Sequence, residues 1–405
     1  MPTPSRREFL QAALVTGGAW LTPRVTFAAA GSDARFVLIL LRGGLDGLAA
    51  VPPYADPDYE RLRRELAIAG PGKDGGALDL DGFFGLHPRL PFLHAAFSDG
   101  DLTVLHAVAT PYRDRSHFDA QDVLESGFAK LHAGGSGWLN RALASLPPGS
   151  AAPAGAERAV ALGHNVPLVL RGPAQVASWS PSRLPPLDDD TLQRIADLYA
   201  DDALLSRRLA DALATAAQAA DSMDGARESR GRRSAQLIEA VSAAASFLGE
   251  DGSASVAVLD TTGWDTHANE GGADGQLALR LSALDSALRE LKRGLGPSWA
   301  RTVVLIATEF GRTAEANGSR GTDHGTGAAA FLLGGAVRGG RVVADWPGLS
   351  PRALHDGRDV APTIDLRSVL KGVLRDHLEV PERLLEADVF PDSRGAPALS
   401  ELVRA

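Results

Sequence analysis

The sequence predicts an α/β fold in which a mostly parallel central sheet carries helices on both faces. Five short apolar runs support this prediction, at residues 36–41, 102–108, 255–260, 302–308 and 328–333. Aliphatic and β-branched runs of this length, bounded by turn residues, are typical of buried strands in a parallel or mixed sheet. Leucines at helical spacing between Leu277 and Leu295 predict a long helix that packs on this sheet.

The first 30 residues are predicted to be an export signal. Residues 5–10 contain a twin arginine followed by the Phe-Leu pair of Tat signals, residues 12–21 are apolar, and residues 28–30 form a small-residue cleavage site. The alternative is an ordinary amphipathic helix. The apolar stretch is shorter than the roughly 20 residues that span a bilayer. We therefore expect an exported, soluble periplasmic protein, with the Tat translocase as its partner during export and no stable membrane span.

Charge and composition limit the classes of partner. Residues 1–30 carry three arginines and one glutamate, so their removal changes the formal net charge from −9 to −11. An acidic chain argues against nucleic acid as a partner, and any anion site must be local. The sequence contains no cysteine, so a metal would bind to histidine and carboxylate side chains.

The length and 44% hydrophobic content predict one large domain over residues 31–400. Residues 186–248 are rich in alanine and leucine with acidic capping residues at their start, and we interpret them as a helical insertion or cap within this domain. Residues 52–90, rich in proline, glycine and aspartate, are predicted to form a long surface excursion.

Acidic and imidazole side chains follow three of the predicted strands. In open α/β sheets, ligands bind where the loops diverge beyond the carboxyl ends of the strands. Carboxylates and imidazoles that meet there would bind a divalent cation. Each feature also has a simpler interpretation, because an Asp-Gly pair makes turns and an Asp-x-His pair arises by chance. The candidate metal ligands are Asp46, Asp265, His267, Glu309, Asp323 and His324.

Ser116 follows the strand predicted at residues 102–108 and has two interpretations. With Asp119 three positions later, it fits the N-cap of a helix. Alternatively, its hydroxyl at the positive end of the helix is a nucleophile, and Arg113 and Arg115 beside it suit a tetrahedral oxyanion. His117 is a candidate ligand, a candidate base or an ordinary helix residue.

Six motifs span nearly the whole mature chain. They are Arg-Gly-Gly-Leu-Asp-Gly at 42–47, Arg-Ser-His-Phe at 115–118, Gly-Trp-Leu-Asn-Arg at 137–141, Asp-Thr-His-Ala-Asn at 265–269, Glu-Phe-Gly-Arg at 309–312 and Gly-Thr-Asp-His-Gly at 321–325. Together they resemble the motifs of the exported family named domain of unknown function 1501. That family is in turn similar to the alkaline phosphatase and sulfatase superfamily.

The resemblance implies an alkaline phosphatase-like fold with metal ions around a phosphate or sulfate ester. Asp46 resembles the ligand that follows the first strand, and Ser116 resembles the nucleophile that opens a helix. Asp265 and His267 resemble the ligands of the other metal, and His324 resembles the late histidine that completes that site.

One motif departs from the superfamily pattern. Glu309, Phe310 and Gly311 stand where the superfamily usually has Asp-His-Gly. Phe310 cannot bind a metal, so the site built from Asp46 and Glu309 lacks its imidazole unless His117 or Asp323 substitutes. A single cation at an oxygen-rich site, one weakly held metal and a paired zinc centre all remain open, with Zn, Ca, Mg or Mn as the ion.

The expected function is metal-dependent hydrolysis of a phosphate or sulfate ester, in a small molecule or a polymer. The metal would activate Ser116 or a water molecule, with His117 as a further candidate catalytic residue. Arg312, with Arg42 and Arg115, would bind the anionic oxygens of the substrate. The alternative is an exported binding or assembly protein that keeps the fold, and a metal, without turnover.

Overall fold

The computed structural model describes residues 33–147, 158–163, 165–181, 199, 202, 204–207, 209–210, 232–250 and 252–404. The predicted signal at 1–30 and most of the predicted insertion at 186–248 lie outside these residues. Within the described residues, every helix is too short or too polar to span a bilayer.

The strands and helices alternate along most of the chain. The strands are β1 Arg35–Arg42, β2 Leu78–Asp79, β3 Gly85–Leu86, β4 Leu102–Ala109, β5 Ala159–Leu162, β6 Val176–Trp179, β7 Val256–Thr262, β8 Thr302–Ala307, β9 Ala328–Leu333, β10 Arg341–Val343 and β11 Ile364–Asp365. The α-helices are α1 Gly47–Ala50, α2 Tyr59–Arg63, α3 Pro91–Ser98, α4 His117–Ser126, α5 Trp138–Ser145, α6 Arg232–Leu248, α7 Gln276–Leu295, α8 Leu366–Asp376 and α9 Glu382–Leu384. Short 3₁₀ turns occur at Arg64–Leu66, Leu168–Leu170 and Gly296–Arg301, and a π turn at Leu385–Val389.

Nine of the described strands form one open sheet, in the order β10, β4, β9, β8, β1, β7, β5, β6, with β11 also paired to β4. β1 is parallel to both β7 and β8, and β5 is parallel to β6 and β7. β9 is antiparallel to its neighbours β4 and β8. The predicted strands are therefore confirmed, and the sheet is mixed and mostly parallel.

Side chains alternate between two apolar layers along each central strand. On β1, Val37 and Ile39 face a core that includes residues of α3, α6 and α7, and Leu38 and Leu40 face a core that includes residues of α5 and α8. This alternation follows from the two-residue period of a strand. The predicted helices on both faces are confirmed, and α6, the end of the predicted helical insertion, packs on the sheet.

The direction of β9 determines which loops meet. β1, β4, β7 and β8 point the same way, so the segments that follow them share one edge of the sheet. Because β9 runs in the opposite direction, the segment that precedes it, residues 321–327, lies at that same edge. Four strands' ends and one strand's start therefore deliver polar side chains to one place.

The prediction that residues 52–90 form a surface excursion is wrong in part. Tyr59, Arg63 and Leu66 are buried in this segment. The Arg63 guanidinium donates to Asp46 Oδ2 and lies 3.5 Å from Glu270 Oε1. The segment is held inside because Arg63, its one fully buried arginine, bonds to the buried Asp46 carboxylate and lies beside the buried carboxyl group of Glu270. Buried acidic groups are costly to desolvate without a partner.

The carboxylate of Asp46 has structural partners. Its Oδ1 atom accepts from the backbone N–H groups of Leu48 and Ala49, at 2.9 and 3.2 Å, and so caps α1. Burial acts to raise the pKa of Asp46, but the positive charge of Arg63 outweighs it and the pKa is lowered. Burial and then the charge of Asp46 raise the pKa of Glu270 well above its usual range. Glu270 is therefore expected to stay protonated beside an ionised Asp46.

The raised pKa of Glu270 predicts a pH-dependent effect of Glu270→Gln. The unfolded state releases this proton above about pH 4.3, whereas the folded state keeps it, so wild-type stability decreases as the pH rises toward the folded pKa. The amide does not titrate. The free energy of unfolding of Glu270→Gln, relative to wild type, should therefore rise between about pH 5 and pH 8 in urea titrations.

Glu315→Gln is the matched control, because Glu315 is an exposed glutamate that also pairs with an arginine, Arg64. Its difference from wild type should be nearly constant over the same pH range. A constant difference for Glu270→Gln as well would show that Glu270 does not hold a proton in the fold.

Candidate metal centre

Three imidazoles and one carboxylate meet at the carboxyl edge of the sheet. His117 is the first residue of α4, Asp265 and His267 follow β7, and His324 precedes β9. The Nε2 atoms of His267 and His324 are 3.0 Å apart, and they lie 3.0 and 3.2 Å from Asp265 Oδ1. His117 Nε2 is 3.4 Å from Asp265 Oδ2. We call these four residues the imidazole cluster.

His117 is oriented by Glu309. Its Nδ1 atom lies 2.8 Å from Glu309 Oε1, which also accepts from the Gly43 backbone N–H at 2.8 Å and from Gln121 Nε2 at 3.1 Å. The hydrogen bond to Glu309 raises the pKa of His117. Burial acts to raise the pKa of Glu309, but its hydrogen bonds, first that of His117, lower it. An ionised Glu309 therefore fixes the proton on Nδ1 and directs Nε2 inward.

The other two histidines are oriented in the same way. His267 Nδ1 lies 3.0 Å from Asp323 Oδ1, and His324 Nδ1 lies 3.0 Å from the carbonyl oxygen of Arg115. Neither acceptor carries a proton of its own to donate, so each Nδ1 is the N–H donor, and in the neutral ring Nε2 carries a lone pair. Burial, followed by the nearby charge of His117, lowers the pKa of His324 and favours its neutral form.

The inward-facing atoms lack suitable partners among the described residues. Within that part of the chain, His117 Nε2 is buried and has no hydrogen-bond partner. The Nε2 atoms of His267 and His324 face each other at 3.0 Å with no proton available between them when both rings are neutral Nδ1–H tautomers. Lone pairs that converge on one point repel each other unless a cation lies between them. The residues therefore fit a metal ion, and the donor atoms of His117, Asp265 and His324 all lie within 4.8 Å of one another.

Arg312 connects the cluster to the buried carboxylates below it. Its side chain is fully buried and its Nη1 atom lies 2.6 Å from Asp265 Oδ1. Its Nε atom donates to Thr322 Oγ1 at 3.1 Å, and that hydroxyl donates to Glu270 Oε2 at 2.9 Å. Burial acts to raise the pKa of Asp265, but the hydrogen bond and charge of Arg312 lower it. Asp265 is therefore ionised and available as an oxygen ligand.

Phe310 forms a wall of the cluster. Its ring centroid lies 4.8 Å from that of His117 and 4.9 Å from that of His324. Gly44, at φ 73°, packs against the ring so closely that a Cβ there would lie 2.7 Å from it. Gly43 likewise allows the Asp265 backbone to approach, because a Cβ would lie 2.5 Å from the Asp265 nitrogen. The Gly-Gly pair is thus required by close packing around the site.

Ser116 occupies the N-cap position of α4, but its side chain makes no capping hydrogen bond. Its backbone N–H donates to Tyr112 Oη at 3.3 Å, and Tyr112 Oη donates to Asp119 Oδ2 at 3.2 Å. Ser116 therefore has the N-cap position that the first interpretation gave it, but Asp119 bonds to Tyr112 and the Ser116 side chain does not cap the helix. The hydroxyl of Ser116 lies at the start of the helix whose first residue, His117, belongs to the cluster.

Arg42 and Arg115 lie beside the site, and both are engaged by carboxylates. Arg42 donates to Glu125 Oε1 at 2.7 Å and to Asp260 Oδ2. Arg115 Nη2 lies 3.2 Å from each oxygen of the fully buried Asp359. Arg312, the third arginine expected to bind an anion, donates to Asp265. All three positive charges are therefore compensated within the protein.

The structure brings together some of the predicted ligands and separates others. Asp265, His267 and His324 lie in the cluster with His117. Glu309 and Asp323 stand behind His117 and His267 as hydrogen-bond acceptors. Asp46 is not among the residues that meet there, because its carboxylate bonds to Arg63 and caps α1.

Two residues that support the site were missed by sequence reasoning. Gln121 follows His117 by four positions, and this helical spacing places both side chains on one face. That spacing could have indicated that both reach Glu309. Arg63 gave no such signal. It is separated from Asp46 by 17 residues and from Glu270 by 207 residues, and no local pattern in the sequence predicts that they meet.

Three solved structures are similar to the chain, each at 10% sequence identity. The phosphonate monoester hydrolase of Agrobacterium radiobacter has a TM-score of 0.40, and the match covers 86% of this chain and 74% of that one. The lipoteichoic acid synthase LtaP from Listeria monocytogenes has a TM-score of 0.34, with 84% and 72% covered, and the C-terminal periplasmic domain of EcEptC from Escherichia coli in complex with Zn has a TM-score of 0.34, with 76% and 74% covered. Similarity at this level carries no conclusion about activity.

A comparison with curated protein sequences finds no match. Residues 104–388 match the model of a family described as Protein of unknown function (DUF1501). This match covers more than half of the chain and includes all four residues of the imidazole cluster and the acceptors of their Nδ1 atoms. The chain belongs to the family described as Protein of unknown function (DUF1501).

Proposed function

We propose that the chain is an exported, metal-dependent hydrolase of phosphate or sulfate esters. The observation that supports this most directly is the convergence of three Nε2 atoms on the Asp265 carboxylate, each ring being fixed through its Nδ1 atom. A site of this kind is organised before any ion binds, which is what tight metal binding requires.

The ligand set favours a borderline transition metal. Three imidazole nitrogens and one carboxylate oxygen suit zinc better than calcium or magnesium, which prefer oxygen ligands. His117, Asp265, His267 and His324 would hold the ion. When bound, a divalent ion supplies Lewis acidity at an ester oxygen and lowers the pKa of a nucleophile.

The residues of the chain assign a role to Ser116. Its hydroxyl lies at the positive end of the α4 dipole and makes no capping hydrogen bond. The neighbouring residue, His117, is directed into the cluster. We assign Ser116 as the nucleophile, and the amino end of α4 as the region that favours the anionic centre of the substrate.

One observation favours a second function, that of a metal-binding protein without turnover. Arg42, Arg115 and Arg312 each donate to carboxylates of the chain and leave no uncompensated guanidinium among the three to clamp a substrate anion. In the hydrolase, the metal and the amino end of α4 would have to supply most of the attraction for the anion. Turnover distinguishes the two functions.

The predicted Tat signal supports export to the periplasm through the Tat translocase as part of this proposal. Its residues, 1–30, lie outside the described part of the chain. A small-molecule or polymeric ester in the periplasm is the corresponding class of substrate.

The cluster predicts one tightly bound zinc ion per chain. Zinc added to the protein freed of metal should raise its melting temperature, because the ion binds the folded state. His324→Ala removes one ligand and should weaken zinc binding by at least about a hundredfold, measured by competition with a chelating dye. His94→Ala is the control, since His94 bonds to the Asp79 carbonyl on the surface of α3. Equal affinities for both variants would contradict the assignment of His324.

Substituting a residue that accepts a hydrogen bond from a histidine Nδ1 atom should weaken zinc binding less than removing a ligand does. Glu309→Gln replaces the ionised acceptor of His117 Nδ1 with an amide and should weaken zinc binding about 10- to 100-fold. Glu125→Gln is the matched control, because Glu125 is another buried glutamate at this site that bonds to Arg42 and to the Val169 backbone N–H. If the two variants lose the same affinity, Glu309 has no specific role in orienting His117.

Turnover tests the proposed hydrolase directly. A panel of para-nitrophenyl phosphate and sulfate esters should be hydrolysed by the zinc-loaded protein, with kcat near background for Ser116→Ala and for Asp265→Ala. Ser116→Ala should keep its zinc and Asp265→Ala should lose it. Ser145→Ala, at the end of α5, is the control and should retain full activity. Zinc binding without hydrolysis of any ester would support the second function.

A further inference from the structure

The arginines beside the imidazole cluster have more carboxylate partners than there are arginines. Arg115 Nη2 lies 3.1 Å from Asp356 Oδ2 as well as 3.2 Å from the Asp359 oxygens. Arg42 likewise has two carboxylate partners, and Arg312 bonds to Asp265. Arg42, Arg115 and Arg312 are therefore each already paired with carboxylates of the protein.

The formal charge of the site follows from the groups in contact there. Arg358 acts electrostatically on Asp323 and Asp356 and is a fourth arginine. Seven carboxylates against these four arginines leave three negative charges, of which a divalent cation would neutralise two. The seven carboxylates lie in the cluster, or bond to its histidines or to the three paired arginines: Asp265, Glu309, Asp323, Glu125, Asp260, Asp356 and Asp359.

Arg113, in the same loop as Ser116, donates to the carbonyl oxygens of Thr110 and Tyr112. Including it brings the balance with a divalent cation to zero. The site therefore has no excess positive charge, and the acidic chain supplies no long-range attraction for an anion.

This balance sets the charge that a substrate can bring. The free energy lost when an anion leaves water must be offset by favourable electrostatic interactions within the site. Because the counted groups and a divalent cation sum to zero, a ligand with one negative charge leaves an excess of one negative charge, and a dianion leaves an excess of two. The second negative charge would also lie near the carboxylates of Asp265 and Glu309, where Arg42, Arg115 and Arg312 are paired with carboxylates and Arg113 with backbone carbonyls, which is unfavourable.

Resting on the hydrolase function proposed above, we infer that the site accepts tetrahedral esters that carry one negative charge, and rejects dianionic phosphate monoesters. Phosphodiesters and sulfate monoesters share this chemistry. In the first step Ser116 Oγ forms a bond to phosphorus or sulfur as the bond to the leaving oxygen breaks, and the leaving alcohol takes up the proton that Ser116 releases. In the second step a water oxygen replaces Ser116 Oγ, one proton of the water returns to Ser116, and the other stays with the product acid.

Binding of inert anions tests the inference without turnover. Dimethylphosphinate has one negative charge, and methylphosphonate, in which one methyl group is replaced by oxygen, has two at about pH 9. Calorimetric titration of the zinc-loaded protein should show dimethylphosphinate binding at least about tenfold more tightly. Equal or tighter binding of methylphosphonate, or no binding of either anion, would overturn the inference.

A substitution that removes one carboxylate tests whether the charge balance of the site causes the preference for monoanions. Asp356→Asn removes an exposed carboxylate from Arg115 and should shift the affinity ratio toward methylphosphonate by about two- to fivefold. Glu401→Gln is a matched control, because the Glu401 side chain is also 63% exposed and also pairs with an arginine, Arg338, at 3.3 Å. An unchanged ratio in Asp356→Asn, or the same shift in both variants, would contradict the charge balance as the cause.

Turnover separates this inference from the proposed function. Values of kcat/KM should be higher for bis(para-nitrophenyl) phosphate or para-nitrophenyl sulfate than for para-nitrophenyl phosphate, and the first two substrates distinguish a diesterase from a sulfatase. Preference for dimethylphosphinate without hydrolysis of any ester would overturn the hydrolase and support the charge selectivity. Hydrolysis with a preference for para-nitrophenyl phosphate would support the hydrolase and overturn the charge selectivity.

Discussion

The candidate site depends on one interaction repeated three times, the hydrogen bond from the Nδ1 atom of a histidine to an acceptor on another part of the chain. Glu309 holds His117, Asp323 holds His267, and a backbone carbonyl holds His324. Each bond fixes both the tautomer and the direction of the ring, so the inward atoms are all acceptors. Because donors and acceptors come from different strand ends, the cluster can form only when the sheet has assembled.

A second constraint is the series of ion pairs and hydrogen bonds below the cluster. Asp265, Arg312, Thr322, Glu270 and Arg63 form a continuous chain of contacts that ends on the carboxylate capping α1. Two of these groups are fully buried guanidinium ions, which cost free energy to desolvate unless every partner is in place. The chain of contacts therefore ties the loops after β1, β7 and β8 to one arrangement. It holds the ligands by holding the backbone that carries them.

The sequence predicted the sheet and the edge where the site lies, because both follow from local patterns. Apolar runs mark strands, and polar residues just beyond them mark the edge, which is how Asp265, His267 and His324 were found. The position of Asp46 could not be predicted in this way. Its partner Arg63 lies in a segment without a clear periodic pattern, and only the packed fold shows that the two meet.

Local sequence patterns also could not predict which role each carboxylate has within the site. Nothing in the sequence distinguishes a carboxylate that binds a metal from one that orients a histidine, since Glu309 and Asp323 have the residue type of a ligand in either role. The direction of each hydrogen bond makes the difference. Their Oε1 and Oδ1 atoms accept from imidazole N–H groups, so the Nε2 atoms on the far side of the rings point inward with their lone pairs as candidate metal ligands.

Phe310 lies between two imidazole rings of the cluster. At the position where the motif resemblance implies a histidine, its ring packs between His117 and His324. The imidazole comes from the first residue of α4 instead, and its ring is fixed by the glutamate that precedes Phe310. This exchange places a candidate ligand directly after Ser116 in the chain. Binding of an ion by His117 would therefore also fix the start of the helix that presents the Ser116 hydroxyl.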